Sequence, residues 1–170
     1  MMAIVDSARA GLHAIELGAT ILHLRALDLT ARELEREAME LVPKSSVPVV
    51  VSSRCDVALA AGAAGVNLRE GDVSVAAARK LLGQRLIGRS IHSPEGAREA
   101  EQAGADFVIF GPVWESPSHS GQAAQGLRAL ATVAEGVRIP VLAIGGIDSD
   151  RAKECIAAGA QGYAAIRMFL

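Results

Sequence analysis

Arginines, hydroxyls and a pair of glycines fall at the ends of successive apolar runs in this chain, and brought to one opening they would make a site for a phosphorylated small molecule. The glycines are Gly145 and Gly146, which stop the apolar run Val141 to Ile144. A parallel strand covered on both faces reads as unbroken aliphatic residues, Pro140 suits its start, and glycine leaves the backbone N–H groups after it bare. Asp148 and Ser149 then read as an N-cap before a helix over Arg151 to Ala158, and N–H groups beside a helix start favour an anion. A tight turn that needs glycine for its own geometry explains the pair equally well. The positive charge comes from Arg25, Arg54, Arg69 and Arg167, and the hydroxyls from Ser52, Ser53 and Ser90. Glu70 and Asp72 offer oxygen ligands of the kind Mg²⁺ takes. His119, with Ser116 and Ser118, lies in the long Gly/Ser/Pro-rich stretch from Gly111 to Ala124, and loops over a rigid scaffold commonly carry chemistry.

Plainer roles compete for several of these residues. Arg54 suits the solvated start of a helix over Cys55–Ala61, and Asp72 suits the N-cap of one over Val73–Leu82. His92, just before Ser93, fits a structural bond to loop backbone, and His13 lies mid-helix, away from the opening.

A small unit recurs and sets the frame: Leu17-Gly18-Ala19, Ala61-Gly62-Ala63, Ala103-Gly104-Ala105 and Ala158-Gly159-Ala160. In each, glycine stops a helix and alanines let the next strand pack closely. Strands are expected near Met2–Val5, Thr20–Arg25, Val47–Ser52, Gly65–Leu68, Leu86–Ser90, Phe107–Phe110, Val141–Ile144 and Gly162–Ile166, with helices between them. Thr30 and Glu33 form a capping box ahead of Leu34, Ala38 and Leu41, and Ser93-Pro94-Glu95 opens another helix. Strict alternation implies parallel strands, and eight of them imply a compact (β/α)₈ TIM barrel, residues 1–170 forming one domain. Such barrels usually run to about 250 residues. No eighth helix follows Met168-Phe169-Leu170, so the flank of the first and eighth strands is expected to lie open, implying either a second copy of the chain across that seam or a natively longer polypeptide.

With a net charge of −2, the composition gives no case for nucleic acid or an anionic membrane surface. No apolar run approaches the roughly 20 residues that span a bilayer, and the start lacks a signal-peptide pattern. Cys55 and Cys155 match no metal-ligand spacing and read as free thiols of a cytoplasmic protein.

Over nearly its whole length the chain is similar to the thiamine phosphate synthase and TenI (thiazole tautomerase) family. The resemblance rests on His23-Leu24-Arg25, Arg54-Cys55-Asp56-Val57-Ala58-Leu59-Ala60, Gly65-Val66-Asn67-Leu68 with Asp72, and Ile91-His92-Ser93. It continues through Phe110-Gly111-Pro112-Val113, Ser116-Pro117-Ser118 and Ala143-Ile144-Gly145-Gly146-Ile147. It implies a barrel in which a thiazole phosphate displaces pyrophosphate from a hydroxymethylpyrimidine with the help of Mg²⁺. Arg25 then stands where pyrophosphate is met, Ser90 beside it, and Asp72 where one Mg²⁺ ligand is expected. Gly145 and Gly146 stand where the thiazole phosphate is held, with Ile166 and Arg167 of the eighth strand closing the pocket.

The chain departs from the family pattern at the charged positions. A lysine two places after Arg25 is Leu27, the Asn-Asp pair before Arg54 is Ser52-Ser53, and the lysine of the long loop is His119. Two cations and one magnesium carboxylate are thereby replaced, which predicts weakened pyrophosphate and Mg²⁺ sites, since charged hydrogen bonds to the leaving group drive such a reaction. Two alternatives stand beside the synthase. One is a TenI-like tautomerase with His119 as proton carrier, although the family's acid–base histidine position holds Pro112; the other is a phosphate-ligand-binding or regulatory barrel without chemistry.

Overall fold

The computed structural model describes residues 1–115 and 123–170. Eight strands pair in sequence order into one closed parallel barrel. They are β1 (Met2–Val5), β2 (Ile21–Leu24), β3 (Val49–Ser52), β4 (Gly65–Leu68), β5 (Leu86–Ile91), β6 (Phe107–Phe110), β7 (Val141–Ile144) and β8 (Gly162–Ala165). Between them run α1 (Ala8–Glu16), α2 (Ala31–Leu41), α3 (Cys55–Ala60), α4 (Val75–Leu82), α5 (Pro94–Gln102), α6 (Gly126–Gly136) and α7 (Ser149–Ala157). The expected barrel and its strand positions are thus observed, with ends shifted by a few residues.

Side chains alternate along each strand, so the barrel carries two apolar layers. Outward residues such as Ala3, Leu22, Val51, Val66, Val108 and Ala143 pack against the helices. Inward ones, Met2, Ile4, Val50, Phe107, Ile109 and Ala164, fill the interior. The inner layer is tight because it is built around one aromatic ring. A Cβ on Gly88 would lie 2.2 Å from the Phe107 ring, so glycine there is what admits the phenyl group. Similarly, a Cβ on Gly65 would meet the Leu86 carbonyl oxygen at 1.8 Å, which lets β4 and β5 approach.

Helix starts follow the caps in the sequence. Ser7, Thr30, Ser93 and Asp148 each accept a backbone N–H, and Thr30 and Glu33 close a reciprocal box. Such a cap stabilises a helix by about 1 kcal/mol. One cap differs from expectation. Ser74, not Asp72, caps α4, which frees Asp72 for other partners.

The flank of β1 and β8 is not open. Ala3, Val5 and Ala165 are buried, and a 3₁₀ turn over Arg167–Phe169 folds Phe169 inward beside α1, leaving it 3% exposed. The apolar face that argued for a second copy at this seam is therefore covered within the chain. Cys55 and Cys155 are free and buried, as expected. Among the described residues no helix is long and apolar enough to cross a membrane.

Candidate functional site

The inward positions nearest the carboxyl ends of the strands decide what the barrel mouth can bind, since functional sites of this fold form there. From β2 to β5 these positions are His23, Ser52, Asn67 and Ser90; from β6 through β8 to β1 they are Ile109, Ile144, Ile166 and Ile4. All eight line one cavity of about 500 Å³. One half of its floor is polar and the other aliphatic.

Much of the polar half has no partner among the described residues. Both ring nitrogens of His23, the Ser52 hydroxyl and the Asn67 Oδ1 are buried without a hydrogen bond among the described residues. Buried polar atoms left so are costly, and a ligand is one way to satisfy them. The Asn67 Nδ2 donates to Ser90 Oγ at 3.0 Å, which orients both. Burial, reinforced by the Arg25 charge, pushes the His23 pKa down to about 3, so its ring is neutral and offers one donor and one acceptor.

One strand period on, the same inward parity brings Arg25 above His23 and Arg69 above Asn67, both lining the cavity. Arg25 is half-buried and has no carboxylate partner among the described residues. Burial, then the neighbouring Arg69 charge, lowers its pKa from the ordinary arginine value. Two guanidinium groups near enough to repel, over an unsatisfied polar floor, form an electropositive opening suited to an anion.

Asp72 is tied to the edge of this opening. Its Oδ2 accepts the Ser53 hydroxyl at 2.6 Å and the Arg69 backbone N–H at 2.6 Å, while its Oδ1 faces the Arg69 guanidinium at 3.4 Å. The Arg69 Nε also donates to Ser53 Oγ at 3.1 Å, closing a three-residue ring. Ser53 reaches this place through a left-handed backbone, φ 64°, a conformation that costs a non-glycine residue about 1–3 kcal/mol. Burial raises the Asp72 pKa, but the bonds from Ser53 and Arg69 outweigh it and leave it below the ordinary carboxylate value. From outside the barrel, Arg89 holds the same loop by donating to the Glu70 and Val73 carbonyls. Among the described residues no three His, Cys, Asp or Glu side chains gather to hold a metal.

A second cavity, about 360 Å³, adjoins the first and shares Ile144 and Ile166 with it. It is lined by Gly145, Gly146, Arg151 and Arg167. Gly145 has φ 101° and Gly146 φ 64°. A Cβ on Gly145 would stand 2.6 Å from Pro112 Cβ, so this turn requires glycine for its geometry as well as for any ligand. Neither glycine N–H finds a backbone acceptor among the described residues. The helix terminus behind them is occupied, because the Asp148 carboxylate takes the Asp150 and Arg151 N–H groups. The anion-binding capacity therefore lies in the glycine amides and the start of the 3₁₀ turn after β8. Arg151 braces that corner, donating to the Gly146 carbonyl at 2.7 Å with its guanidinium 5.1 Å from the Trp114 ring centre.

The structure thus brings Arg25, Ser52, Ser90 and Asp72 to the first cavity, Gly145, Gly146 and Arg167 to the second, and Ile166 to the wall between them. Ser53 acts from behind Asp72. His119 and Ser118 lie outside the described residues. Arg54 pairs with Asp56 on the surface, as the plainer reading held, and His13 meets Glu16 there. His92 bonds the Gly111 carbonyl through Nδ1, the structural role expected of it, while also lining the first cavity. Asn67 and Arg69 line the first cavity, as their place at the end of a strand suggested, whereas a lining role for His23 went unassigned in the sequence, yet the period-2 count through Ile21 would have found it. Arg151 carried no such signal.

Known proteins resemble the chain throughout. The family described as thiamine monophosphate synthase matches residues 4–169. A putative thiamine-phosphate synthase of Geobacter sulfurreducens is 42% identical, over 98% of this chain and 78% of that protein. The thiamine-phosphate synthase of Chloroflexus aurantiacus is 36% identical, over 96% of this chain and 75% of its own length. Among solved structures, thiamine phosphate pyrophosphorylase from Pyrococcus furiosus superposes with a TM-score of 0.90 at 33% identity, covering 99% of this chain and 87% of that one.

Proposed function

The chain belongs to the thiamine monophosphate synthase family, and from that premise we propose that it couples a hydroxymethylpyrimidine pyrophosphate to a thiazole phosphate. The observation that carries this reading is the pair of adjoining cavities with a shared wall, Ile144 and Ile166. A reaction between two anionic partners needs two anion sites close enough for the reacting atoms to meet, and each cavity supplies one. In the reaction, the bond from the pyrimidine's methylene carbon to pyrophosphate breaks while the thiazole phosphate bonds to that carbon.

Each group then has a task. Arg25 and Arg69 face the leaving pyrophosphate, where donors fixed in advance are worth most as charge develops. Ser90, held by Asn67, adds a hydroxyl. The neutral His23 ring and the Ser52 hydroxyl meet the polar edge of the heterocycle, and the isoleucine half of the floor meets its apolar faces. Gly145 and Gly146 hold the thiazole phosphate by their N–H groups, with Arg167 alongside. Mg²⁺, which the family resemblance implies, fits poorly here. Of the two carboxylates that line this cavity, Glu70 and Asp72, Asp72 has both its oxygens engaged, and a guanidinium stands beside it where a cation would approach.

The test is direct: the two substrates are incubated with the protein, with and without Mg²⁺, and thiamine phosphate is measured. Product is expected, and its absence at high protein concentration would refute the reading. The tautomerase alternative rests on His119, and His119→Ala should abolish isomerisation of a thiazole carboxylate phosphate if it holds. Binding of both ligands without either turnover would mark a ligand-binding barrel.

A further inference from the structure

The ring formed by Ser53, Arg69 and Asp72 assigns Arg69 more than a surface ion pair. Asp72 is only slightly exposed, its side chain at 12%, and it is fixed by three donors, whereas the Arg69 side chain is 53% exposed and lines the cavity. The carboxylate is thus the anchor and the guanidinium the exposed end. Arg89 secures the loop from the far side, so the guanidinium is carried on a braced segment. In the same half of the mouth stands Arg25, without a carboxylate partner among the described residues. Beneath both lie the Ser52 hydroxyl and Asn67 Oδ1, buried and without a partner among the described residues.

From this geometry, and resting on the coupling reaction proposed above, we infer that Arg69 takes the place of a metal ion. Arg25 and Arg69 bind the pyrophosphate end of the substrate directly, and Asp72 positions Arg69 instead of ligating Mg²⁺. A guanidinium suits this exchange because it is permanently charged and presents paired N–H groups to phosphate oxygens. Ser53 completes the exchange: its hydroxyl donates to Asp72 and accepts from Arg69, a double role that a carboxylate at that position could not play.

Calorimetric titration of the full chain with inorganic pyrophosphate, once in EDTA and once in Mg²⁺, tests the inference. The dissociation constant is expected to be as low in EDTA as in Mg²⁺, and Arg69→Ala to raise it at least about tenfold, with Arg69→Lys between the two. Asp72→Asn separates the two readings without depending on Arg69 substitutions. If Asp72 positions Arg69, loss of its charge weakens pyrophosphate binding equally in EDTA and in Mg²⁺; if it ligates a metal, only Mg²⁺-supported binding falls and metal-free binding is unchanged. Binding that appears only with Mg²⁺, an Arg69→Ala protein that binds like the wild type, or no binding in either buffer would overturn the inference. Metal-free binding without thiamine phosphate formation would instead sink the coupling reaction and leave Arg69's role standing.

Discussion

The two halves of the barrel mouth solve different problems with the same backbone. From β2 to β5 the inward tips are His23, Ser52, Asn67 and Ser90, crowned by Arg25 and Arg69; from β6 round to β1 they are four isoleucines. On the first side, side chains supply the charge and the backbone is spent in the sheet. On the second, the side chains are inert and the charge complement comes from main-chain amides at Gly145 and Gly146. Residue type, not backbone, separates them, since every tip is an inward position of an alternating strand. On the proposed reaction, the contrast is how a closed barrel would keep two negative guests apart: one held by side-chain cations, the other by a tight turn, with an aliphatic wall between.

The sharpest way to break this division is to remove Arg25. Arg25→Ala should lower kcat/KM for coupling about 10²–10³-fold, the usual loss for one prearranged donor to a developing charge. Thiazole phosphate affinity should change little, and an equal loss on both sides, measured by titration, would erase the distinction between the halves. The mirror experiment is Gly145→Ala. With φ 101° and Pro112 Cβ 2.6 Å away, the added methyl cannot be housed without moving the turn. The cost is about 1–3 kcal/mol of backbone strain, seen as a lower Tm. Thiazole phosphate binding should weaken about tenfold, equivalent to about 1.4 kcal/mol, while pyrophosphate binding holds.

The gentlest test uses acid. His23 stays neutral in the folded chain down to about pH 3, whereas in the unfolded chain it takes a proton near the ordinary value of 6.5. The unfolded state therefore binds more protons in between, and stability falls as pH drops from about 6.5 toward 4. Of the carboxylates, Glu33, held below its ordinary value by its bonds with Thr30, reaches only the acid edge of that window. Asp56 is held at about 2 by its bonds from Arg54, and Asp72 and Asp148 also lie below their ordinary values. Their contributions fade only below about pH 4. Thermal melts from pH 6.5 to 4.5 should show a slope in the wild type that His23→Gln flattens; an unchanged slope would mean the polar floor is not as dry as its burial implies.

Most of this architecture was legible in the sequence because its signals are local. The Ala-Gly-Ala joints mark where helices stop, and Thr30 with Glu33 or Ser93 with Pro94 mark where they start. The glycine pair after β7 could likewise be read from its neighbours alone. Asp72 could not. Its sequence setting suggests a helix cap, yet Ser74 takes that task two residues later. The partner that fixes it, Ser53, lies 19 residues earlier and arrives only through a left-handed turn. Contacts between neighbouring strand tips depend on register, which no local pattern states. The seam between β1 and β8 was misjudged for a related reason: one residue, Phe169, turns inward and does much of the covering that a whole helix was expected to provide.

Gly88 has an effect beyond packing. By admitting the Phe107 ring it lets the barrel's axis be stoppered from below, making the fold a cup and not a pipe. A cup has one doorway. Both reactants must come in over the same lip by which both products go out, so traffic across that lip, and the order in which guests leave, becomes part of the turnover cycle.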